Sequence, residues 1–110
     1  MKLTEICKIY FELFSKKDLE KLSLLFCDDV VLRDWETHAI GKKEVLATNK
    51  NIFDNLDNIQ VILVDQSLSQ NNKVYNEIVI EINDEETLLV IDVIVFDENG
   101  LIKKIEAYKG

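Results

Sequence analysis

The segment at residues 24–41, which reads LLFCDDVVLRDWETHAIG, decides how this chain of 110 residues folds. It leaves an amphipathic helix, turns at residues 27–29 and is predicted to enter a short strand at residues 30–35. Because side chains alternate between the two faces of a strand, Asp34 is expected to share a face with apolar residues. An unpaired buried carboxylate is costly, so such an aspartate is paired, protonated or close to a bound ligand. Asp34 is therefore a candidate functional residue.

The length and composition predict one domain that spans residues 1–110. Hydrophobic residues make up 47% of the sequence and charged residues 31%, which is typical of a globular protein. A chain of this length buries somewhat more than about 60% of its unfolded surface, which is enough for one core with a small cavity. No segment reaches the length of a transmembrane helix, and Glu5 and Lys8 argue against a signal peptide. A cytoplasmic protein without membrane contact is therefore expected.

The charge and the rarer residue types narrow the expected partners. The net charge of −8 disfavours contact with phosphate backbones, so nucleic acid is not an expected partner. The single histidine, His38, cannot form a multi-histidine metal site within one chain. The two cysteines, Cys7 and Cys27, lack metal-ligand spacing and suit a reducing compartment. We expect neither a metal nor another cofactor.

The spacing of apolar residues predicts three helices in the first half of the chain. The first covers residues 4–15 and places Tyr10 on its apolar face. Asp18 is the predicted N-cap of the second helix. After the predicted strand, residues 36–40 are expected to form a loop, and Gly41 is expected to begin the third helix.

From residue 57 onward the hydrophobic period changes to two, which predicts a four-stranded antiparallel meander. Turn signals rich in Asn, Asp and Gly place the strands near residues 58–69, 73–82, 86–97 and 101–109. The third of these strands is apolar on both faces, whereas a sheet covered by helices on one side should be polar on the other. The simplest cover for the second face is another copy of the sheet, so we expect a homodimer.

Asp92 interrupts an apolar row in the middle of that third strand, where it cannot cap a turn. Tyr10 and Asp34 are expected to point into the same interior from two other elements. Each has a structural alternative: Asp34 could cap the turn that follows it, and Tyr10 could bond only to the backbone. Together the three groups suit proton transfer next to a carbonyl. One ionised carboxylate removes the proton, while a phenol and a neutral acid donate hydrogen bonds to the oxygen that gains charge.

The environments divide these roles between the two aspartates. An apolar position in a strand raises the pKa of a carboxylic acid, which keeps Asp92 neutral and able to donate a hydrogen bond. Asp34 lies nearer to a loop and to water, so it is better placed to remain ionised and act as the base.

Two segments and the order of the elements resemble the SnoaL-like and nuclear-transport-factor-2-like superfamily over essentially the whole chain. The segments are YFELFSKKDLEKLSLLFCDDVVLRDW at residues 10–35 and IDVIVFDENGLIKKIEAY at residues 91–108. The resemblance implies an α+β, cystatin-like roll. Three N-terminal helices would pack on a strongly curved, mostly antiparallel sheet, and a pocket would lie between them.

Within this superfamily, Tyr10, Asp34 and Asp92 resemble the catalytic residues of ketosteroid isomerase. The resemblance implies that Asp34 is the general base and that Tyr10 and Asp92 form the oxyanion hole. Trp35 stands where the isomerase has a proline. Members that open epoxides carry an arginine at the place of Val90, which disfavours that chemistry here.

We therefore expect a pocket whose mouth lies near Trp35 and His38. Its ligand is expected to be a small, largely apolar, carbonyl-bearing molecule, and its chemistry a cofactor-independent isomerase or cyclase reaction. The alternative is a non-catalytic binding or dimerisation module without a solvent-connected cavity. For Asn76, a hydrogen-bonded core amide is the first interpretation. The expected substrate-binding residues are Phe14, Trp35, Phe53, Ile62, Asn76, Ile78, Val90 and Ile94.

Overall fold

The computed structural model describes residues 1–110 and contains three helices and one six-stranded sheet. The helices are α1 (Leu3–Ser15), α2 (Leu19–Ser23) and α3 (Lys42–Asn55). The strands are β1 (Phe26–Arg33), β2 (His38–Ile40), β3 (Ile59–Ser69), β4 (Lys73–Ile82), β5 (Glu86–Phe96) and β6 (Ile102–Lys109). The predicted α+β class, with N-terminal helices against a mostly antiparallel sheet, is confirmed.

The sheet has the strand order β2-β1-β6-β5-β4-β3. The last four strands form the predicted antiparallel meander. β1 joins it in parallel with β6, and β2 pairs antiparallel with β1. The sheet is therefore mixed, and the single parallel pair places the loop after β1 beside the C-terminal end of β6.

The first strand differs from its prediction at both ends. β1 begins at Phe26 and includes residues 27–29, which the sequence analysis assigned to a turn. Asp28 and Asp29 are exposed within it, and the pairing with β6 shifts register between Phe26 and Val31. A bulge of this kind tolerates polar residues inside a strand. The acidic pair can therefore lie within β1, although two adjacent aspartates are typical of a turn. Since β1 ends at Arg33, Asp34 lies in the loop that follows the strand.

Residues 38–40, predicted as part of a loop, form the short strand β2, in which Ala39 pairs with Leu32. Gly41 then has a φ of 90°, a conformation that L side chains rarely adopt, and it directly precedes α3. None of the three helices is long and apolar enough to cross a membrane.

The helices are fixed by local bonds and by one long-range contact. The Asp18 carboxylate accepts a hydrogen bond from the backbone N–H of Lys21 at 3.1 Å, which confirms the predicted N-cap of α2. The Lys17 ammonium donates to the carbonyl oxygens of Phe53 and Leu56 at the end of α3. Lys17 therefore ties the corner between α1 and α2 to the C-terminus of α3.

The two faces of the sheet differ in what they contact. The face toward the helices carries the core, which includes Val74, Ile94 and Ile105. The opposite face, called the outer face below, retains exposed apolar side chains in the middle of the meander. They are Ile62, Tyr75, Leu89, Ile91 and Tyr108.

Candidate functional site

A cavity of about 460 Å³ lies between the helices and the inner face of the sheet. Residues from α1, α3, the loop after β1 and all four strands of the meander line it, and 16 of the 25 are hydrophobic. A space of this size and character fits a small, largely apolar molecule. Tyr10, Asp34 and Asp92 all line it, so the fold brings the three predicted catalytic residues to one cavity.

Asp92 is a buried acid in the wall of the cavity, with 6% of its surface exposed. Burial among apolar neighbours, and secondly the negative charge of Asp34, raise the pKa of the Asp92 carboxyl to about 7. In the structure this carboxyl receives no hydrogen bond from the protein, and the bond from the Asn76 side chain goes to the main-chain oxygen of Asp92. The acid is therefore available to a ligand.

Tyr10 projects from the buried face of α1 and packs its ring between Phe14 and Phe26, with centroid distances of 5.9 and 6.2 Å. Burial raises the pKa of the Tyr10 phenol well above its ordinary value, and the nearby Asp92 and Cys7 raise it further. Tyr10 therefore stays protonated and can donate a hydrogen bond into the cavity.

The carboxylate of Asp34 lines the cavity and also accepts hydrogen bonds from the main chain. Its Oδ1 accepts hydrogen bonds from the backbone N–H groups of Glu36 at 2.8 Å and Thr37 at 2.7 Å. The turn-capping alternative therefore holds for this oxygen, while the carboxylate as a whole still lines the cavity. No group of three or more His, Cys, Asp or Glu side chains that could hold a metal ion occurs in the structure.

Half of the expected substrate-binding residues line the cavity. Phe14, Trp35, Ile78 and Val90 do so. The cavity lining does not include Phe53, Ile62, Asn76 and Ile94, so the prediction for these four residues is corrected.

Strand alternation explains the position of Ile62, and helix packing explains that of Phe53. Ile62 lies on the outer face, 39% exposed, because the inward row of β3 contains Val61 instead. Phe53 packs edge to face on Phe14, with 4.8 Å between the ring centroids, and so lies behind the cavity wall. Ile94 is fully buried in the core.

Asn76 is a core amide, as its first interpretation proposed. It is fully buried, and its Oδ1 accepts a hydrogen bond from Gln66 Nε2 at 2.9 Å. Its Nδ2 donates to the main-chain oxygen of Asp92 at 3.0 Å. With both ends of the amide satisfied, Asn76 supports the strand that carries Asp92 and does not face the ligand.

Trp35, expected at the mouth, lines the cavity and is 40% exposed. The Lys109 ammonium lies 5.3 Å from the centroid of the Trp35 ring, within the range of a cation–π contact. His38, expected at the mouth, lies on β2 and does not line the cavity. Lys109 was missed, although the inward row of β6 that contains Ile105 and Ala107 would have indicated it.

The helix α3 contributes polar residues that were not predicted to line the cavity. Thr48, Asn49 and Asn51 line it. Asn49 is 1% exposed, and its Nδ2 has no hydrogen-bond partner. The signal in the sequence is its spacing, since Asn49 lies one helical turn from both Val45 and Phe53 on the buried face of α3.

Comparisons with known proteins identify the fold. No protein-family model matches the sequence, and no curated protein matches it. Among solved structures, an NTF2-like protein of unknown function from Cytophaga hutchinsonii has a TM-score of 0.83 at 8% identity, covering 100% of this chain and 91% of that one. The chain has the NTF2-like fold.

Two further structures with this NTF2-like fold are described by activity. A proposed isomerase of the SnoaL-like family from Agrobacterium tumefaciens has a TM-score of 0.84 at 12% identity, covering 97% of this chain and 96% of that one. A proposed ketosteroid isomerase from Kribbella flavida has a TM-score of 0.84 at 14% identity, covering 98% of this chain and 77% of that one. At these identities the likeness is one of fold, and function has to be argued from the site.

Proposed function

We propose that this protein binds a small, largely apolar molecule bearing a carbonyl group and transfers a proton next to that carbonyl without a cofactor. The observation that supports the proposal is the buried, unpartnered acid Asp92, which shares one cavity with the phenol of Tyr10 and the carboxylate of Asp34. Two neutral donors and one base are the groups that enolisation requires.

In the proposed reaction, the ligand places its carbonyl oxygen against Tyr10 and Asp92. Asp34 removes a proton from the carbon next to the carbonyl. The electron pair of the broken C–H bond forms the C=C bond of the enolate, and the π pair of the carbonyl moves onto the oxygen. The raised pKa keeps Tyr10 protonated, and the pKa of about 7 keeps Asp92 protonated below about pH 7. In that form each donates a hydrogen bond to the developing enolate. In an isomerase, the ligand has a C=C bond conjugated with the enolate, and Asp34 returns the proton to the far carbon of that bond as the carbonyl re-forms. In a cyclase, the enolate carbon attacks a second carbonyl, and Asp34 returns the proton to the alkoxide that forms.

The surroundings favour this chemistry in two ways. Most of the lining is apolar, and hydrogen bonds from Tyr10 and Asp92 to the enolate oxygen are stronger in such surroundings than in water. The cavity also accommodates a ligand of modest size without rearrangement of the core. The isomerase activity proposed for the structural neighbour from Agrobacterium tumefaciens is consistent with this class of reaction.

The proposal is tested by hydrogen–deuterium exchange next to the carbonyl of small ketones in D₂O, followed by proton NMR. We expect the wild type to accelerate exchange for at least one cyclic or aryl ketone, and Asp34→Asn to abolish the acceleration. Asp28→Asn, which removes an exposed acid from β1, is the matched control and should exchange at the wild-type rate. If Asp34→Asn leaves exchange unchanged, Asp34 is not the base.

Binding of an enolate mimic tests the oxyanion site separately from turnover. A naphtholate should bind saturably to the wild type and at least about tenfold more weakly to Tyr10→Phe, because one donor to the charged oxygen is lost. Equal affinity for the two proteins would contradict the proposed role of Tyr10.

A second candidate function is a non-catalytic binding module of the same fold. The observation that favours it is the pair of main-chain hydrogen bonds to Asp34 Oδ1, which gives this carboxylate a structural role independent of any substrate. Saturable naphtholate binding without catalysed exchange of any ketone would support this candidate over the enzyme.

We also propose that the protein forms a homodimer through the outer face. Leu89 is 61% exposed and Tyr108 57%, and the apolar Ile91 lies between them, paired with Tyr108 across β5 and β6. A second copy of the same face would remove these side chains from water. Light scattering at micromolar concentration tests this: a mass of one chain would contradict the dimer.

A further inference from the structure

Asn49 is a buried polar residue of the cavity wall that the proposed reaction does not use. Its side chain is 1% exposed, yet its Nδ2 has no hydrogen-bond partner. Nearly all buried amide nitrogens in folded proteins have a partner, because leaving a donor unpaired is destabilising. Asn76, the other buried asparagine of this protein, has both of its amide atoms bonded. The unpaired donor of Asn49 therefore requires an explanation.

The position of Asn49 points to a ligand atom as the missing partner. Asn49 lines the cavity together with Thr48 and Asn51, so α3 presents a polar strip in a wall that is mostly apolar. Tyr10 and Asp92 reach the same cavity from α1 and β5. The cavity thus has hydrogen-bonding groups from α3 in addition to the proposed oxyanion site.

We propose that Asn49 donates a hydrogen bond to a second oxygen of the ligand, distinct from the carbonyl oxygen held by Tyr10 and Asp92. The unpaired atom is a donor, so the ligand atom must be an acceptor such as a ketone, ester or ether oxygen. Nδ2 itself is buried in the structure, so a rotation about χ2, which is broad and roughly two-fold for asparagine, is required to turn Nδ2 toward the ligand. This inference rests on the proposed function for the position of the first oxygen.

The charges around the cavity indicate that the second oxygen is neutral. Apart from Asp92, which the proposed reaction keeps protonated, the acidic lining residues are Asp34, Glu36 and Glu86. The basic one is Lys109, which already lies over the ring of Trp35. A carboxylate or phosphate would be repelled by this surplus of acids. The inferred ligand class is therefore an apolar ketone with a second, uncharged oxygen acceptor.

The test uses two phenols of similar size, 4-hydroxyacetophenone and 4-ethylphenol, of which only the first has a second oxygen acceptor. Their dissociation constants are measured by calorimetry for the wild type and for Asn49→Leu, which replaces the amide with an apolar group of similar shape. We expect the preference for 4-hydroxyacetophenone to fall by roughly fivefold to tenfold in Asn49→Leu, the effect of one hydrogen bond. Gln60→Leu, which alters an exposed amide on β3 outside the cavity lining, is the control and should keep the wild-type preference.

An unchanged preference in Asn49→Leu would overturn the inference, and Asn49 would then be a packing residue. A merely structural role predicts changes in thermal stability but no change in the ratio of the two constants. The side-chain amide resonances of Asn49 provide a second readout, because they should shift with 4-hydroxyacetophenone and not with 4-ethylphenol.

The failure of this inference is distinguishable from failure of the proposed function. Tyr10→Phe should weaken both phenols equally and leave their ratio unchanged, so it reports on the oxyanion site alone. If Tyr10→Phe has no effect on the two dissociation constants, the proposed oxyanion site is wrong. Acetophenone has a ketone but no hydroxyl group, so its affinity for the wild type and for Asn49→Leu still decides whether Asn49 binds a carbonyl. If none of the three probes binds the wild type saturably, both proposals fall.

Discussion

The side-chain amide of Asn76 donates a hydrogen bond to the main-chain oxygen of Asp92, with 3.0 Å between the two atoms. The two residues are also partners in the register of β4 and β5. The amide thus supports the strand that carries the buried acid, and Gln66 completes the support by donating to Asn76 Oδ1. A polar residue outside the cavity therefore helps to fix a polar residue inside it.

Replacing Asn76 with leucine should destabilise the fold. The change removes the bonds from Gln66 to Asn76 and from Asn76 to the main-chain oxygen of Asp92, while Gln66 Nε2 keeps its bond to the main-chain oxygen of Thr4. Because two buried or partly buried hydrogen bonds are lost, we expect a loss of about 2 kcal/mol. Gln60→Leu alters an exposed amide on β3 and should change the free energy of unfolding by less than about 0.5 kcal/mol. Urea denaturation measures both, and equal stabilities of the two variants would contradict the structural role of Asn76.

The raised pKa of Asp92 should make stability fall as pH rises. Between pH 3.8, which equals the ordinary pKa of the carboxyl, and about pH 7, the folded protein keeps a proton that the unfolded chain has lost. Below pH 3.8 this proton stabilises the folded protein by the full amount, and the stabilisation is lost as the pH rises to about 7. The total loss of unfolding free energy is roughly 4 kcal/mol. Asp92→Asn lacks this titration. The difference in unfolding free energy between the two proteins should therefore change in favour of the variant from pH 4 to 7, whereas a constant difference would contradict the assignment.

Removing the charge of Asp34 should lower the pKa of Asp92. The Asp34 carboxylate is the second cause of that raised pKa, after burial, so Asp34→Asn should lower it without returning it to the ordinary value. The asparagine keeps an oxygen that can accept the bonds from Glu36 and Thr37, so the turn should persist. Carboxyl carbon NMR titration gives the pKa directly. Asp28→Asn is the control, and an Asp92 pKa that is the same in all three proteins would show that the two acids do not interact.

Lys17 should contribute more to stability than its neighbour Lys16. The Lys17 ammonium donates to main-chain oxygens at the C-terminus of α3, including that of Phe53 at 2.9 Å. Lys17→Met should therefore cost about 1–2 kcal/mol. Lys16 makes only an exposed ion pair with Glu12, so Lys16→Met should have a smaller effect. Thermal denaturation compares them, and the reverse order would refute the capping role.

A charge on the outer face should disrupt the proposed dimer. Ile91→Lys places an ammonium in the middle of the apolar surface formed with Leu89 and Tyr108, so a dimeric wild type should become monomeric. Leu24→Lys changes a side chain that is 72% exposed and lies outside the sheet, and it should leave the mass unchanged. Sedimentation velocity distinguishes these outcomes. A variant Ile91→Lys that remains dimeric would place the interface elsewhere.

The sequence was informative wherever the signal was local. The strands of the meander were located to within one residue because alternation and turn residues act over a few positions. The same alternation placed Asp92 on the inner face. The local sequence pattern led to a wrong prediction at residues 27–29, where the bulge in β1 accommodates two exposed aspartates. It also could not show that residues 38–40 pair with β1, since that strand is defined by its partner and has little pattern of its own.

By itself, then, the sequence determined the α+β class, the meander and the inward positions of Tyr10 and Asp92, because each follows from periodicity within one element. Only the tertiary structure decided which polar side chains are paired. Asn49 and Asn76 both interrupt apolar rows, yet Asn76 is fully hydrogen-bonded and the Nδ2 of Asn49 has no partner. Hydrogen bonding and the raised pKa of Asp92 depend on groups brought together from distant parts of the chain, and no local pattern encodes those distances.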